Sequence, residues 1–207
     1  KNVTFDGAGH SITGNGTGDG IRVGDGSGVS AGDPVTIHNV TVTTFGNGLS
    51  VGASEEIELR DAVLREHTSR AVTIFGSSGT EATVTIRDSV VADNEDDGIQ
   101  AQGFLTITGT EIVRNNGTGI EAGLSLENST VSGNNISHNT VRGISYHGSG
   151  PVTVTDNWFE ANGDAGFFHS DRASNLVTLA RNRFEDNPIG VTLANRLGGG
   201  RNSSAMV

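Results

Sequence analysis

The stretch Pro151-Val-Thr-Val-Thr-Asp-Asn-Trp-Phe-Glu-Ala-Asn-Gly-Asp-Ala-Gly-Phe167 holds one complete copy of the pattern that decides the fold of this chain. Its apolar positions are Val154, Phe159 and Phe167, which stand five and eight residues apart. The first of these positions recurs roughly every two dozen residues, a period typical of repeat proteins. The recurrences are Ile37, Leu59, Ile86, Ile107, Val131, Val154 and Leu179.

The two other apolar positions recur together with the first. The second falls at Val42, Leu64, Val91, Ile112, Ile136, Phe159 and Phe184, and the third at Leu49, Val72, Ile99, Ile120, Ile144, Phe167 and Val191. A looser first copy uses Phe5, Ile12 and Ile21. Around these positions apolar and polar residues alternate, as in Thr83-Val-Thr-Ile86, which is typical of a strand with one buried face. Since one unit cannot bury its apolar face alone, we predict an all-β fold, a right-handed parallel β-helix (solenoid) of about eight coils with three short strands per coil.

Two turn positions also repeat. A glycine precedes the third strand at Gly20, Gly48, Gly98, Gly119, Gly143, Gly166 and Gly190. This row indicates either a backbone angle that a Cβ hinders or close packing between coils. An asparagine follows the second strand at Asn15, Asn94, Asn115, Asn139, Asn162 and Asn187, with Phe45 and His67 in that place in two coils, and a shorter row holds Asn134, Asn157 and Asn182. We expect the amides to hydrogen-bond to each other and to the turns, with no catalytic role.

Two of the repeats carry a resemblance to a known family. The runs Asn134-Asn-Ile-Ser-His-Asn-Thr-Val-Arg-Gly-Ile144 and Asp156-Asn-Trp-Phe-Glu-Ala-Asn-Gly-Asp-Ala-Gly-Phe167 resemble right-handed parallel β-helix repeats of the NosD-like type. The opening Asn2-Val-Thr-Phe-Asp-Gly-Ala-Gly-His-Ser-Ile12 is similar to the usual first coil of such domains. The resemblance implies the pectate-lyase-like superfold, which includes lyases, hydrolases, epimerases and noncatalytic surface proteins. Function must therefore be argued from a site.

The charge of the chain is strongly acidic. It has 207 residues and a formal net charge of −11, from 24 acidic and 13 basic residues. Lys1 is the single lysine, and the other basic residues are arginines. An acidic surface nearly without lysine favours a haloarchaeal or other halophilic source, because strong salt screens the repulsion among carboxylates. We therefore interpret the chain as a haloarchaeal surface protein. The alternative is an ordinary acidic surface protein. Without a basic stripe, nucleic acid is not an expected partner.

The pattern divides the chain into two parts. Residues 1–195 are predicted to form the β-helix domain, and residues 196–207 an irregular tail or linker. Because the chain starts at Lys1 in a predicted strand, we interpret it as a piece of a longer protein. No apolar run in this segment is long enough to span a membrane. Several Asn-x-Ser/Thr sequons, among them Asn2, Asn116 and Asn135, fit an extracellular or cell-surface glycoprotein.

One outward row of the third strand suggests a glycan-binding surface. It runs Arg22, Ser50, Thr73, Gln100, Glu121, Ser145, Phe168 and Thr192, and the turns after it carry His147, Asp171 and Arg172. An outward phenylalanine has no core to fill, and it can stack on a sugar. The candidate glycan-binding residues are Gln100, Glu121, His147, Phe168, Asp171 and Arg172. The alternative is an isolated exposed aromatic, or one that a missing domain covers.

For catalysis, Asp96 and Asp97 are the paired carboxylates to test. The run Asn94-Glu-Asp-Asp-Gly-Ile99 resembles the Asp-Asp element of polygalacturonases, in which paired acids protonate the leaving group and activate water. The rest of that family's pattern is missing, so an acidic turn is the alternative. No His/Asp cluster has convincing spacing for a transition metal, and we predict no metal site and no cofactor apart from weak calcium binding by Asp-rich turns.

These observations predict a noncatalytic extracellular β-helix module of a halophile. It would act in cell-surface architecture or in glycan recognition, with a polysaccharide, a cell-surface glycan or neighbouring surface-protein subunits as its partner. The alternative is a polysaccharide-active enzyme, a lyase, hydrolase or epimerase that acts on acidic glycans. Clustered acids in a groove would favour the enzyme, whereas a smooth face with aromatic residues would favour binding.

Overall fold

Short parallel strands, joined by turns and loops, form the described part of the chain. The structure is a computed structural model that describes residues 2–24, 34–76, 79–123, 129–148, 150–171, 176–195 and 205–206. In chain order the strands are Val3–Asp6 (β1), Ser11–Thr13 (β2), Asp19–Val23 (β3), Val35–His38 (β4), Thr41–Thr43 (β5), Asn47–Val51 (β6), Glu56–Arg60 (β7), Val63–Arg65 (β8), Val72–Ile74 (β9), Thr83–Arg87 (β10), Val90–Ala92 (β11), Ile99–Ala101 (β12), Phe104–Thr108 (β13), Glu111–Val113 (β14), Ile120–Ala122 (β15), Ser129–Ser132 (β16), Asn135–Ser137 (β17), Ile144–Tyr146 (β18), Val152–Thr155 (β19), Trp158–Glu160 (β20), Ala165–Asp171 (β21), Val177–Ala180 (β22), Arg183–Glu185 (β23), Ile189–Asn195 (β24) and Ala205–Met206 (β25).

The strands form three parallel sheets, which confirms the predicted all-β solenoid with three strands per coil. The first sheet runs β1-β4-β7-β10-β13-β16-β19-β22-β25, the second β2-β5-β8-β11-β14-β17-β20-β23, and the third β3-β6-β9-β12-β15-β18-β21-β24. We call each set of three consecutive strands a coil, from coil 1 (β1 to β3) to coil 8 (β22 to β24). Strand β25 lies in the predicted tail and pairs with β22. The division into a domain of residues 1–195 and a tail of 196–207 stays a prediction.

The register stacks each apolar position on the same position of the next coil. Ile86 pairs with Leu59 on one side and with Ile107 on the other. All three side chains are at most 1% exposed, and they belong to one continuous core that runs through the coils. Each coil thus supplies the surface that buries its neighbour's apolar face, as the stacking argument requires.

The predicted asparagine rows form two ladders inside the turns. In the longer ladder, Nδ2 of each asparagine donates to Oδ1 of the next along Asn94, Asn115, Asn139, Asn162 and Asn187, at 2.7 to 3.0 Å. The shorter ladder joins Asn134, Asn157 and Asn182 in the same direction at 2.9 and 3.0 Å. Asn15 does not belong to the ladder, because Phe45 stands above it in coil 2. Its Oδ1 instead accepts a hydrogen bond from the Thr17 hydroxyl at 2.8 Å.

Close packing, the second of the two alternatives, explains the central part of the glycine row. A Cβ on Gly98 would stand 2.7 Å from the carbonyl oxygen of Gly119, and a Cβ on Gly119 would stand 2.7 Å from that of Gly143. No real side chain tolerates such contacts with backbone, so the coils approach each other too closely there for any larger residue.

Candidate functional site

One row of outward side chains runs up the third sheet. Strand pairing places Gln100 beside Glu121, Glu121 beside Ser145, and Ser145 beside Phe168. The residues on either side of Gln100, Ile99 and Ala101, are fully buried. Strand alternation therefore turns the row away from the core, although Ser50, Thr73 and Ser145 of the predicted row are buried.

A second row of polar side chains lies in the turns just before these strands. Each of these side chains stands one position before the repeated glycine (Ala71 in coil 3). They are, in coils 3 to 6, Arg70, Asp97, Thr118 and Arg142. The Thr118 N–H donates to Asp97 Oδ1 at 2.8 Å. Arg70 Nη2 lies 2.9 Å from Asp96 Oδ2, and Arg70 Nε lies 3.5 Å from Asp97 Oδ2. One guanidinium thus holds both carboxylates of the Asp96-Asp97 pair.

The two rows form a single site. We call it the third-sheet site, and it consists of Arg70, Asp96, Asp97, Gln100, Glu121, Arg142, Ser145, His147 and Phe168. Its carboxylates come from coils 4 and 5, and its imidazole and aromatic ring from coils 6 and 7. Because coils stack in register, residues more than 70 positions apart in the chain meet on one surface.

His147 connects the middle of the site. Its Nε2 lies 3.1 Å from Glu121 Oε1 and 2.8 Å from Ser145 Oγ. Its Nδ1 is in hydrogen-bond contact with Ser170 Oγ. Burial lowers the pKa of His147, and the positive charge of Arg142 lowers it further. The imidazole is therefore neutral at neutral pH, and its contact with Glu121 is polar rather than ionic.

Phe168 is half-buried because Arg142 covers one face of its ring. The guanidinium carbon of Arg142 lies 3.8 Å from the ring centroid, a close cation–π contact. Arg142 Nε also donates to Asp164 Oδ2 at 2.9 Å, and Nη1 to Ser145 Oγ at 3.3 Å. The imidazole of His147 lies 5.8 Å from the ring at an angle of 56°. Phe168 is therefore in contact with a charged network of side chains.

Two carboxyls of the site have raised pKa values. Burial raises the pKa of Asp97, whose side chain is 14% exposed, and the adjacent charge of Asp96 adds to the rise. Burial likewise raises the pKa of Glu121, and the charge of Asp97 raises it further, although the Ser145 hydroxyl favours the ionised form.

The structure brings together residues that the sequence placed in two separate hypotheses. Asp96 and Asp97, the catalytic candidates, lie in the same site as Gln100, Glu121, His147 and Phe168 from the glycan-binding set. For Asp171 the structure gives the backbone alone, at the end of β21, and Arg172 lies outside the described residues.

Sequence reasoning missed Arg70 and Arg142. Both stand one position before the repeated glycine of the coil, and Asp97 stands at the same position in coil 4. An alignment of the coils on the repeated glycine places Arg70, Asp97 and Arg142 in one row. Strand alternation could not, because the turn interrupts the two-residue period before the third strand.

A groove on the outer face of the first sheet is a less suitable site. It is lined by Pro34, Val35, Thr36, Glu56, Ile57, Glu58, Thr83 and Thr85. None of these lining residues is aromatic, and Glu58 is already paired with Arg87 at 2.8 Å. The third-sheet site offers a ring together with acids whose pKa values are shifted.

Within the described residues, no group of three or more His, Asp or Glu side chains is arranged to hold a metal ion. The described part of the chain also has no helix with the length and apolarity that crossing a membrane requires.

Comparisons with known proteins agree with the fold. The family model described as "Right handed beta helix region" matches residues 1–123 and 79–202. No curated protein matches the sequence. The solved structure of pectate lyase Pel9A is similar, with a TM-score of 0.61 and 15% identity, over 100% of this chain and 62% of the lyase. This chain thus spans less than two thirds of that protein.

A second similar structure is the A-module of the mannuronan C-5 epimerase AlgE4 from Azotobacter vinelandii. It has a TM-score of 0.50 and 13% identity, over 96% of this chain and 81% of the module. Identities this low show a common fold, and the chemistry has to come from the residues of the site.

Proposed function

The chain belongs to the right-handed β-helix family, and from this premise we propose that it is an extracellular module that recognises glycans through the third-sheet site. The observation that carries the proposal is the packing of Phe168 beneath Arg142 and beside the polar pair of Glu121 and His147. An aromatic ring edged by carboxylate and imidazole groups offers a sugar a stacking surface and hydrogen-bond partners together. The two similar structures are proteins named for a polysaccharide substrate, which supports a carbohydrate ligand.

The surroundings of the module belong to the same proposal. A net charge of −11 with a single lysine fits the surface of a halophilic, archaeal cell, where strong salt screens the repulsion. The ligand is then a polysaccharide or a cell-surface glycan, and neighbouring surface-protein subunits are the alternative partner. The module requires no cofactor, so removal of calcium with EDTA is expected to leave glycan binding unchanged.

Glycan binding by the Phe168→Ala variant tests the proposal. Loss of the ring removes the stacking surface and the support of Arg142, so we expect the dissociation constant to rise about tenfold, which corresponds to about 1.4 kcal/mol. Isothermal titration calorimetry in strong salt, with oligosaccharides selected from a glycan array, measures this change.

Trp158→Ala is the matched control. Trp158 is a 37% exposed aromatic on the second sheet, and it too has a guanidinium above its ring, that of Arg183 at 5.3 Å. Its removal should leave the affinity unchanged. If Trp158→Ala weakens binding and Phe168→Ala does not, the glycan surface is on the second sheet and the proposed site is wrong.

A polysaccharide-active enzyme is the second candidate function. The specific observation in its favour is the pair of carboxyls, Asp97 and Glu121, that burial holds at raised pKa values. Groups of this kind concentrate where proton transfer takes place.

A further inference from the structure

We propose that Ser170, His147 and Glu121 form a nucleophilic triad that removes O-acyl esters from a glycan. The substrate class rests on the proposed glycan-binding role of the third-sheet site. The reaction is transfer of an acyl group to water, and it leaves the glycosidic bonds of the polysaccharide intact.

The imidazole of His147 joins the three side chains in one line. Its Nδ1 is in hydrogen-bond contact with Ser170 Oγ, and its Nε2 lies 3.1 Å from Glu121 Oε1. The glutamate comes from β15 in coil 5, the histidine directly follows β18 in coil 6, and the serine comes from β21 in coil 7. A hydroxyl within hydrogen-bond reach of a base that a carboxylate orients is the arrangement of an activated serine, whatever the order of the residues in the chain.

The partners of the ring fix its tautomer. An ionised Glu121 only accepts hydrogen bonds, so Nε2 carries the hydrogen and donates it to the carboxylate. Nδ1 then presents its lone pair to the Ser170 hydroxyl, which donates. In most serine hydrolases the serine faces Nε2 and the acid faces Nδ1, and here the two nitrogens are exchanged. The role of the imidazole is the same, because either nitrogen can accept a proton.

Two serines contact His147, and exposure distinguishes them. Ser145 Oγ lies 2.8 Å from Nε2, on the side of the acid, and it also accepts a hydrogen bond from Arg142 Nη1 at 3.3 Å. Ser145 is completely buried, so its hydroxyl cannot meet a polymer. Ser170 is partly exposed, and the side chain of His147 is 39% exposed. Ser170 is therefore the nucleophile, and an ester on a large chain can reach it and its base.

The surface beside Ser170 favours an ester carried by a sugar. Phe168 stands two residues earlier in β21, so strand alternation places both side chains on the same face, with Cα atoms about 7 Å apart. This separation is comparable to the span of a sugar ring with one ester substituent. The guanidinium of Arg142, 3.8 Å from the centroid of the Phe168 ring, brings positive charge to that face, which favours the oxyanion of acyl transfer.

The reaction balances in two steps. Ser170 Oγ bonds to the carbonyl carbon of the ester, its proton passes to His147 Nδ1, and the π electrons move to the carbonyl oxygen. When the carbonyl re-forms, the bond to the sugar oxygen breaks, and that oxygen leaves with the electron pair and takes the proton from His147. Water then repeats the sequence on the acyl-serine, with His147 taking its proton and returning it to Ser170 Oγ. One water is consumed, and a sugar hydroxyl and a carboxylic acid are released.

The test combines labelling of the nucleophile with acetate release by the full 207-residue chain. A fluorophosphonate probe followed by peptide mass spectrometry should find the label on Ser170. The oligosaccharides that bind are chemically O-acetylated, and we expect the protein to release acetate from them. Ser170→Ala and His147→Gln should each lower this rate about 100-fold or more. Ser170→Ala should bind the unacetylated oligosaccharide as the parent does, and circular dichroism checks that each variant keeps the fold.

Glu121 is a positioning residue, and its test needs a signal besides the rate. Glu121→Leu removes the acceptor of Nε2–H and should lower the cleavage of p-nitrophenyl acetate, a small ester that does not depend on glycan binding. ¹⁵N NMR of the imidazole should show the hydrogen on Nε2 in the parent chain and a mixture of tautomers in Glu121→Leu. An unchanged tautomer would show that Glu121 does not orient His147.

Ser132→Ala is the matched control. Ser132 is a partly exposed serine at the end of β16 on the first sheet, and its hydroxyl accepts a hydrogen bond from Thr155 Oγ1 at 3.1 Å. Its loss should leave labelling and acetate release unchanged. Equal rates for Ser170→Ala and the parent, or a label on another serine, would overturn the inference. Glycan binding with neither label nor acetate would overturn the triad and leave the proposed recognition standing. A labelled Ser170 in a protein that binds no glycan would refute the proposed function and keep the nucleophile.

Discussion

His67 occupies the place in coil 3 that asparagine holds in coils 4 to 8, and it has no exposed surface. Its Nδ1 accepts a hydrogen bond from the Phe45 N–H at 3.2 Å, whereas its buried Nε2 has no hydrogen-bond partner. Burial disfavours the charged imidazole and lowers the pKa of His67 from 6.5 to about 4. The sequence identifies this residue as a departure from the repeat, but the cost of charging it depends on packing that the repeat does not specify.

This buried imidazole makes the stability of the protein sensitive to acid. Between pH 6.5 and about 4, His67 is protonated in the unfolded chain and neutral in the folded chain. Stability from this group is therefore complete above the unfolded pKa and falls as pH drops toward the folded pKa, by at most about 3 kcal/mol. Urea denaturation at a series of pH values measures the loss.

His67→Asn is the comparison for that experiment. The substitution places a non-titrating amide in the row, and all other titratable groups stay the same. The free energy of unfolding of the parent chain should fall relative to that of the variant between pH 6.5 and 4, and the two should run parallel above pH 7. Identical pH slopes in both proteins would show that His67 does not titrate as its burial implies.

At the scale of the element, strands were easier to predict than turns. Alternation identified the strands, because each inward side chain must be apolar to contribute to the core. The asparagine ladder was also predictable, since buried backbone in tight turns requires partners. The left-handed backbone of some turns was not predictable. Thr44, Glu66 and Arg114 have φ values of 58°, 60° and 55°, and no glycine marks these positions in the sequence.

The ladder itself gives the second prediction. Asn139 accepts hydrogen bonds from the side chain and the backbone of Asn115, and it donates to Asn162 Oδ1 and Ile112 O, all at 2.9 to 3.1 Å. Asn139→Ala leaves these buried groups without partners, so we expect the free energy of unfolding to fall by about 4 kcal/mol. Thermal or urea unfolding measures the change.

Asn116→Ala is the matched control for the ladder. Asn116 is an exposed neighbour in the same turn region, and it accepts one hydrogen bond, from Thr140 Oγ1 at 3.2 Å. Its loss should change stability by about 0.5 kcal/mol or less. A loss below about 1 kcal/mol for Asn139→Ala would mean that water or rearranged turns replace the ladder.

At the scale of the whole molecule, charge sets the conditions for folding. The net charge is −11, so repulsion among carboxylates opposes folding when salt does not screen it. We expect the urea midpoint to rise as NaCl increases from 0.1 to 1 M, because the screening length shrinks from about 10 Å to about 3 Å. Sucrose is the control, because it stabilises the folded state by exclusion from the protein surface and does not screen charge. A comparison with sucrose therefore separates screening by NaCl from exclusion of the solute. A midpoint that does not change with NaCl would argue against adaptation to strong salt.

The residues of the third-sheet site come together only in the folded molecule. Phe168, Glu121 and Gln100 were predictable as one row, because register follows from the repeat. Arg70 and Arg142 were not found, since the contacts that define them join coil 3 to coil 4 and coil 6 to coil 7. The repeat shows which positions of different coils are equivalent. It does not show which oppositely charged residues meet between neighbouring coils, and the ion pairs depend on that.

The two asparagine ladders have a consequence for the rod as a whole. In both, one side-chain N–H of each linking asparagine donates to the asparagine of the next coil, and the other donates to a backbone carbonyl of the coil before. Aligned amides polarise one another and their dipoles add. The ladders therefore give coils 4 to 8 a direction along the axis of the solenoid. Copies that meet end to end would join head to tail, a geometry that extends into a filament instead of closing into a pair.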